Sequence, residues 1–162
     1  MKHQNIFSIL KQDHNLHRDL IARIEETNGE SDERIKLFRQ FTLEIKAHAA
    51  AEEQALYSTV MRKPDLTSEV RHSVAEHHEI EELLNDLAAT DMAQGAWLTK
   101  FRALKDRYIH HIDEEEEEHF PDFDKELTTE DETWMGSVFA KRKPVEKSNA
   151  EVTPEKMEDA KE

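Results

Sequence analysis

The sequence repeats its own pattern of polar and apolar residues at an offset of 63 positions, without a gap. The offset superimposes His14 on His77, His48 on His111 and Glu52 on Glu115. It also superimposes apolar residues, pairing Phe38 with Phe101, Phe41 with Leu104, Ile45 with Tyr108, Leu20 with Leu83, Ile21 with Leu84, Ile24 with Leu87, and Tyr57 with Phe120. The chain is therefore built from two related halves, and equivalent residues are expected at equivalent heights around a pseudo-twofold axis.

Within each half the apolar residues recur three and four positions apart, which is the spacing of one face of an amphipathic α-helix. Only three Gly and four Pro interrupt the chain, so long helices with few turns are expected. The predicted helices cover about 5–27, Ser31 to just before Pro64, Leu66 to about Leu87, and Asp91 to about Pro121, with a short one around Trp134, Val138 and Phe139.

This pattern predicts an all-α fold, an antiparallel up-down-up-down four-helix bundle over residues 1–127. A short extra C-terminal helix is expected over 128–140, packed on or near the bundle. From residue 141 to 162 there is no aromatic residue, and Lys, Glu, Pro, Ser and Asn prevail. That composition is typical of a disordered charged tail.

Composition excludes several classes of function. The formal net charge of -15 repels a phosphate backbone, so nucleic acid is not expected as a partner. There is no run of 18 apolar residues and no signal-peptide pattern at the N-terminus, which predicts a cytoplasmic protein without a membrane span. Because the chain has no cysteine, any bound metal is held by nitrogen and oxygen ligands.

Six polar residues lie on the apolar faces of the predicted helices and enter one core: His14, His48, Glu52, His77, His111 and Glu115. His48 and Glu52, like His111 and Glu115, are four residues apart and so share a helix face. Burying a carboxylate without a cation costs roughly several kcal/mol, and this core would bury two of them. A metal supplies the missing charge, and iron, manganese, zinc and copper suit these ligands. The repeat favours two ions, one held by the first two histidines and one by the last two, with both glutamates bridging.

Other polar residues fit the same site less well. His17 falls on the inner face and either supports a ligand or is itself a fifth histidine ligand. His78 and His110 point about 100° away from their apolar stripes, towards solvent. Within the acidic run 114–118 only Glu115 faces inward. The pairs Glu69/His72 and Glu116/His119 have the spacing of ferritin-type ligands, but neither pair places both residues inside.

Five segments carry a resemblance to a known family: Asp13–His14, residues 48–53 (HAAAEE), 76–80 (EHHEI), 111–116 (HIDEEE) and Phe120–Pro121. In type, order and spacing they resemble the signatures of the hemerythrin-like HHE cation-binding family over residues 1 to about 125. The resemblance implies a four-helix bundle with two non-haem irons joined by an oxo or hydroxo bridge, and makes zinc or manganese less expected. Members of that family carry oxygen, sense oxygen, iron or nitric oxide, repair iron centres or act in stress.

The chain departs from the oxygen-carrying members at two positions. Glu81 stands where they have a second histidine on the third helix, and Glu115 follows His111 by four residues where they have an aspartate at five. The resemblance therefore implies a protein that binds, senses or reduces oxygen, peroxide or nitric oxide rather than a reversible carrier.

Several functions stay open at this stage. They are turnover of peroxidase, catalase or nitric-oxide-reducing type, iron storage or oxygen carriage, and a zinc hydrolase. No catalytic residue is assigned, whether the protein is an enzyme is not decided, and an unnamed protein partner is allowed.

Overall fold

The computed structural model describes residues 5–150, and the regular structure in this range is helical. Five long helices make up the fold: α1 (Ile6–Glu25), α2 (Asp32–Glu52), α3 (Thr67–Ala88), α4 (Gly95–Glu114) and α5 (Thr129–Ala150). Two of them continue through a π-helical turn into a shorter α-helix: α2 through Glu53–Tyr57 into Ser58–Val60, and α4 through Glu115–His119 into Phe120–Glu126. A 3₁₀ turn, Pro64–Leu66, precedes α3. The predicted all-α class is confirmed.

Local signals in the sequence determine where α1 and α2 begin and where they separate. The Asn5 side chain accepts a hydrogen bond from the backbone N–H of Phe7, and the Ser31 hydroxyl accepts one from Arg34. Each bond satisfies a backbone donor that the first turn of a helix leaves without a partner. Gly29 has a φ of 59°, a left-handed conformation that glycine adopts without steric cost. The chain therefore turns between α1 and α2 where the sequence predicted.

The first four helices pack in a ring. Helix α1 contacts α2 and α4, while α3 contacts α4 and α2. Helix α5 packs against α1 and α2. Among the described residues, none of the helices combines the length and the apolar composition that crossing a membrane requires.

The apolar interior is divided into two clusters. The first contains Leu10, Leu56, Val70, Phe123 and Phe139, and the second contains Leu20, Phe41, Leu84, Trp97 and Phe101. Each of the four ring helices carries a histidine between the two clusters, and each contributes to both, α4 through its continuation Phe120–Glu126. On α1, for example, His14 lies between Leu10 of the first cluster and Leu20 of the second. A polar layer therefore lies in the middle of the bundle, enclosed at both ends by packed apolar side chains.

The C-terminal helix is longer than the sequence predicted. A short helix over 128–140 and disorder from residue 141 were expected, whereas α5 continues through Pro144 to Ala150. The prediction was wrong for this segment because it relied on the drop in apolar content after residue 140. The rest of the predicted tail, 151–162, lies outside the described residues.

Charged contacts hold the last turns of α5 on the bundle. Lys143 Nζ lies 2.7 Å from Asp13 Oδ1, and Lys147 Nζ lies 2.6 Å from Glu44 Oε1. The Glu44 side chain is only 6% exposed, so the two lysines neutralise a carboxylate that would otherwise be buried without a cation. Such long-range ion pairs leave no apolar periodicity, which is why the sequence did not reveal them.

Glu132 on α5 is a buried carboxylate whose ionisation opposes folding. Burial and the neighbouring Asp124 raise the pKa of Glu132 to about 7 from its usual 4.5. Because the folded-state pKa is the higher one, ionisation costs folding free energy as the pH rises above the unfolded value, and the full cost is reached above about pH 7. Glu132→Gln is therefore expected to raise the free energy of unfolding by about 1 kcal/mol at about pH 8, and by less at about pH 5.

Urea unfolding across this pH range checks the expectation. Glu130→Gln, an exposed change on the same helix, is the matched control and should show no such pH dependence. An increase in the free energy of unfolding of Glu132→Gln that is the same at every pH would contradict the raised pKa of Glu132.

Candidate metal centre

The six histidines and glutamates singled out in the sequence meet in the polar layer. One group consists of His14, His48 and Glu52, and the other of Glu52, His77, His111 and Glu115. In each group one nitrogen or oxygen atom per residue lies within 4.8 Å of the others. Glu52 belongs to both groups, whereas Glu115 belongs only to the second. The predicted division of the histidines matches these groups, but the structure places only Glu52 in a bridging position.

The inward-facing atoms approach one another without forming hydrogen bonds. Glu52 Oε1 lies 3.2 Å from His77 Nε2, and Glu52 Oε2 lies 3.7 Å from His48 Nε2. Within the described residues, the buried atoms that lack a hydrogen-bond partner include Nε2 of His14 and of His48 and both carboxylate oxygens of Glu52 and of Glu115. A buried polar atom without a partner costs about 1–3 kcal/mol. A cation between these atoms would satisfy all of them, so the donor set fits a metal.

Each of the four histidines is held on its outer side by a carboxylate. The Nδ1 atoms of His14, His48, His77 and His111 lie 2.8 Å, 2.8 Å, 3.1 Å and 2.9 Å from carboxylate oxygens of Glu116, Asp13, Glu53 and Glu76, respectively. Such a contact fixes the orientation of the ring and leaves Nε2 pointing into the layer. This is the usual arrangement of metal-binding histidines.

The outer carboxylates obey the same internal repeat as the residues they support. The offset of 63 superimposes Asp13 on Glu76 and Glu53 on Glu116. The sequence alone gave these four residues no role, although the repeat already aligned them as two pairs of acidic residues. In each half an acidic residue precedes the first aligned histidine and another follows the aligned glutamate.

The pKa shifts of the residues in the polar layer show that its carboxylates lack a cation when no metal is bound. Burial alone would raise the pKa of Glu52, but the contact with His77 and the charges of His48 and His77 hold it well below its usual range. Burial and the charge of Glu52 raise the pKa of Glu115 to about 7. Burial would lower the pKa of His111, but the adjacent Glu115 outweighs this and raises it to about 10. Protons on histidine thus neutralise the metal-free layer, and a bound cation would displace them.

His17 lies beside the layer but in neither group. It is fully buried, and its Nδ1 is hydrogen-bonded to Tyr108 Oη at 2.6 Å. Its ring centroid is 5.2 Å from that of His48, and its Nε2 has no hydrogen-bond partner. Burial lowers the pKa of His17 and raises that of Tyr108 well above its usual value, so both side chains are neutral near pH 7. Of the two interpretations from the sequence, this placement favours a supporting role.

Most of the other polar residues lie where the sequence placed them. His78 is exposed, and the His110 side chain is 64% exposed. Within the run 114–118, Glu115 alone is buried. His119 is only 4% exposed, whereas Glu116 is half-buried, so this pair does not place both residues inside. His119 lies in the π-helical turn that follows α4, and azimuths derived from a regular α-helix do not apply there.

A cavity of about 250 Å³ reaches the polar layer between α2 and α3. At its inner end lie His48, His77, His111 and Tyr108, and its apolar wall includes Ile45, Val74 and Leu84. The exposed residues His78 and Glu81 line its outer part. Glu81, which the resemblance aligns with a second histidine of oxygen carriers, is therefore a cavity residue and belongs to neither group of candidate ligands.

Comparison with known proteins agrees with this geometry. The family model of the hemerythrin HHE cation-binding domain matches residues 5–123. The chain belongs to this family. A crystal structure of an HHE cation-binding domain-containing protein from Mycobacterium kansasii shares the fold, with a TM-score of 0.79. It is 24% identical, and the alignment covers 90% of this chain and 89% of that one. No curated protein matches the chain. As a member of this HHE family, the chain is a metal-binding, hemerythrin-like protein.

Lys143 connects α5 to the metal centre. Its Nζ donates a hydrogen bond to Asp13 Oδ1, and Asp13 Oδ2 lies 2.8 Å from His48 Nδ1. Burial would raise the pKa of Asp13, but His48 and Lys143 hold it at about 2, so the carboxylate stays charged and keeps the ring in place. A residue that hydrogen-bonds a metal ligand, as Asp13 does, contributes about 10–100-fold to metal affinity. Lys143 contacts Asp13 and not the ligand itself, so Lys143→Met is expected to weaken metal binding by about 10-fold or less.

Competition with a chelator measures this loss of affinity. Lys141→Met, an exposed change on the same helix, serves as the control and should leave the affinity unchanged. Equal affinities of the two variants would show that α5 does not support His48.

Proposed function

We propose that the polar layer holds two non-haem irons and that the protein uses them in the cytoplasm to bind, sense or reduce a small oxidant, in stress or in iron homeostasis. The observation that carries the proposal is the pair of ligand groups joined at Glu52. His14 and His48 would hold one ion, while His77, His111 and Glu115 would hold the other. Imidazole and carboxylate together suit iron better than calcium or magnesium, which prefer oxygen ligands alone.

Bound iron would supply the electrons for reducing oxygen, peroxide or nitric oxide, and the protein supplies access. The cavity is lined by His48 of the first group and by His77 and His111 of the second, whereas His14 is fully buried and does not line it. An incoming molecule therefore reaches residues of both groups. Ile45, Val74 and Leu84 make part of the cavity wall apolar, beside the charged Lys46, Glu53 and Glu81. An ion loses hydration at the apolar part, so an uncharged molecule enters at a lower cost. Small uncharged oxidants fit these conditions.

Tyr108 is the proton source that the cavity offers. Tyr108 lines the cavity, and its hydroxyl is hydrogen-bonded to His17. Burial raises the pKa of Tyr108 far above 7, so the proton stays on the oxygen until a stronger base arrives. Reduction of peroxide to water consumes protons, and Tyr108 with His17 behind it can deliver one without opening the layer to solvent.

Anaerobic loading with ferrous iron followed by peroxide tests the proposal. We expect close to two irons per chain, and an absorption spectrum that peroxide or oxygen changes irreversibly. One iron per chain at saturation would overturn the two-ion assignment. A stable oxygen adduct that disappears under vacuum would replace the redox role with carriage.

A second candidate is an enzyme that turns over peroxide or nitric oxide, and the buried Tyr108 hydroxyl in the cavity favours it. If turnover occurs, Tyr108→Phe should lower kcat while the iron content stays unchanged. Tyr57→Phe is the matched control, since Tyr57 is also buried beside the layer but does not line the cavity. Oxidation of wild-type protein once, without further cycles, would favour a sensor instead.

A further inference from the structure

One cluster of polar residues breaks the internal repeat. His72, Ser73, Glu114 and His119 superimpose on Ile9, Leu10, Ala51 and Leu56, respectively. In the first half these positions form or border the apolar cluster at one end of the bundle. The second half has two histidines, a hydroxyl and a carboxylate in the same place. The repeat itself therefore does not explain this polar cluster, which has no counterpart in the other half.

The side chains of the cluster converge on one carboxylate oxygen. Glu114 Oε1 lies 3.1 Å from His72 Nε2 and 3.2 Å from His119 Nε2. On the other side of the ring, His119 Nδ1 is hydrogen-bonded to Ser73 Oγ at 3.1 Å, which leaves Nε2 directed at the carboxylate. Ligand atoms on a tetrahedral ion with bonds of about 2.0–2.1 Å lie about 3.3 Å apart. The two distances to Glu114 Oε1 therefore already match the spacing of ligand atoms on one ion.

The π-helical turn Glu115–His119 makes this arrangement possible. In a regular α-helix, residues five apart such as Glu114 and His119 point about 140° away from each other. A π-helical turn closes its hydrogen bonds over five residues and brings such a pair onto one face. His119 is consequently buried, whereas His72 on α3 keeps its side chain 52% exposed and leaves the cluster accessible from solvent.

The surroundings favour a cation. A cavity of about 310 Å³ opens onto the cluster, and Glu69, Glu118 and Asp122 are among its lining residues. Burial and the neighbouring Asp122 raise the pKa of Glu69 to about 7, which reflects the negative potential at this rim. Two imidazole nitrogens with one carboxylate suit zinc or ferrous iron, and leave a coordination position for solvent.

We propose that His72, Glu114 and His119 form a third metal site at the surface of the bundle, distinct from the two central groups, that binds zinc or a similar divalent cation. Glu76 connects the site to the centre, because its Oε1 lies 3.4 Å from His72 Nε2 and 2.9 Å from His111 Nδ1. The site uses none of the six central residues. The proposal therefore stands whether or not the centre holds iron.

Zinc titration of the full-length, metal-free chain tests the site. We expect His72→Ala to bind one equivalent less than wild type, while His78→Ala, the exposed histidine on the same helix, binds as many as wild type. The difference between wild type and His72→Ala isolates the peripheral site from whatever the centre binds. Equal stoichiometry in wild type and His72→Ala would overturn the proposal.

A second variant and a crystallographic measurement distinguish loss of the metal site from loss of folding. His119→Leu introduces the residue that the repeat has at the equivalent position, Leu56, so the bundle should stay folded while the extra equivalent is lost. In zinc-soaked crystals, anomalous scattering should locate an ion in contact with His72 and His119. Absence of that peak, or its persistence in His119→Leu, would refute the assignment.

Discussion

Replacing Glu52 with alanine is expected to leave the protein almost without bound metal. Glu52 is the residue shared by both ligand groups, and its two oxygens face His77 and His48, respectively. In the proposed two-ion centre, losing Glu52 removes one ligand from each ion and leaves Glu115 as the remaining inward-facing carboxylate. Since the loss of an outer partner alone costs about 10–100-fold in affinity, the loss of a shared direct ligand should exceed that for both ions.

Metal analysis after desalting checks this result, with two controls. Glu53→Ala removes the outer partner of His77 and should weaken binding while most of the metal stays bound. His14→Ala touches only the first group and should retain about half of the metal. Two equivalents of metal in Glu52→Ala would show that the carboxylate does not bridge.

Removing the metal is expected to lower the melting temperature by about 8–16 °C. A ligand at a thousand times its dissociation constant contributes about 4 kcal/mol, and each kcal/mol shifts a domain of this size by about 2–4 °C. The metal-free layer also keeps two carboxylates in contact, and the raised pKa of Glu115 reflects their repulsion. Calorimetry with and without a chelator measures the difference.

Glu115→Gln should bring the melting temperatures of the metal-free and metal-bound protein closer together, by raising the first and lowering the second. Because the folded-state pKa of Glu115 is above its unfolded value, its ionisation opposes folding of the metal-free protein at pH 7 and above. The amide removes that cost but binds metal less well, so the two melting temperatures approach each other. Glu117→Gln, exposed on the same segment, should keep the full difference. The same difference in both variants would mean that Glu115 is not a ligand.

The helices and the six central residues were predictable because their signals are periodic. A helix that buries one face repeats its apolar residues every three or four positions, and a duplicated hairpin repeats them again at a fixed offset. Polar residues inside those stripes, such as His48 and Glu115, stand out against this background. Their burial then requires a counter-charge, so the metal-binding function also followed from the sequence.

Features that depend on contacts between distant segments were not predictable. The last turns of α5 are held by Lys143 and Lys147 against carboxylates on α1 and α2, and an ion pair leaves no mark in local composition. The position of His119 depends on a π-helical turn, which changes the azimuth of every residue after it.

The sequence by itself determined the helical class, the number of ring helices, the family and the inward set of histidines and glutamates. The helical class, the number of ring helices and the inward set follow from periodicity and from the cost of burying charge, whereas the family rests on motifs that resemble its signatures. Only the tertiary structure decided which carboxylate bridges the two groups, which acids orient the histidines, where the cavity opens, and that α5 braces His48 through Asp13. These properties depend on distances of a few ångströms between side chains on different helices, and such distances exist only once the helices have packed.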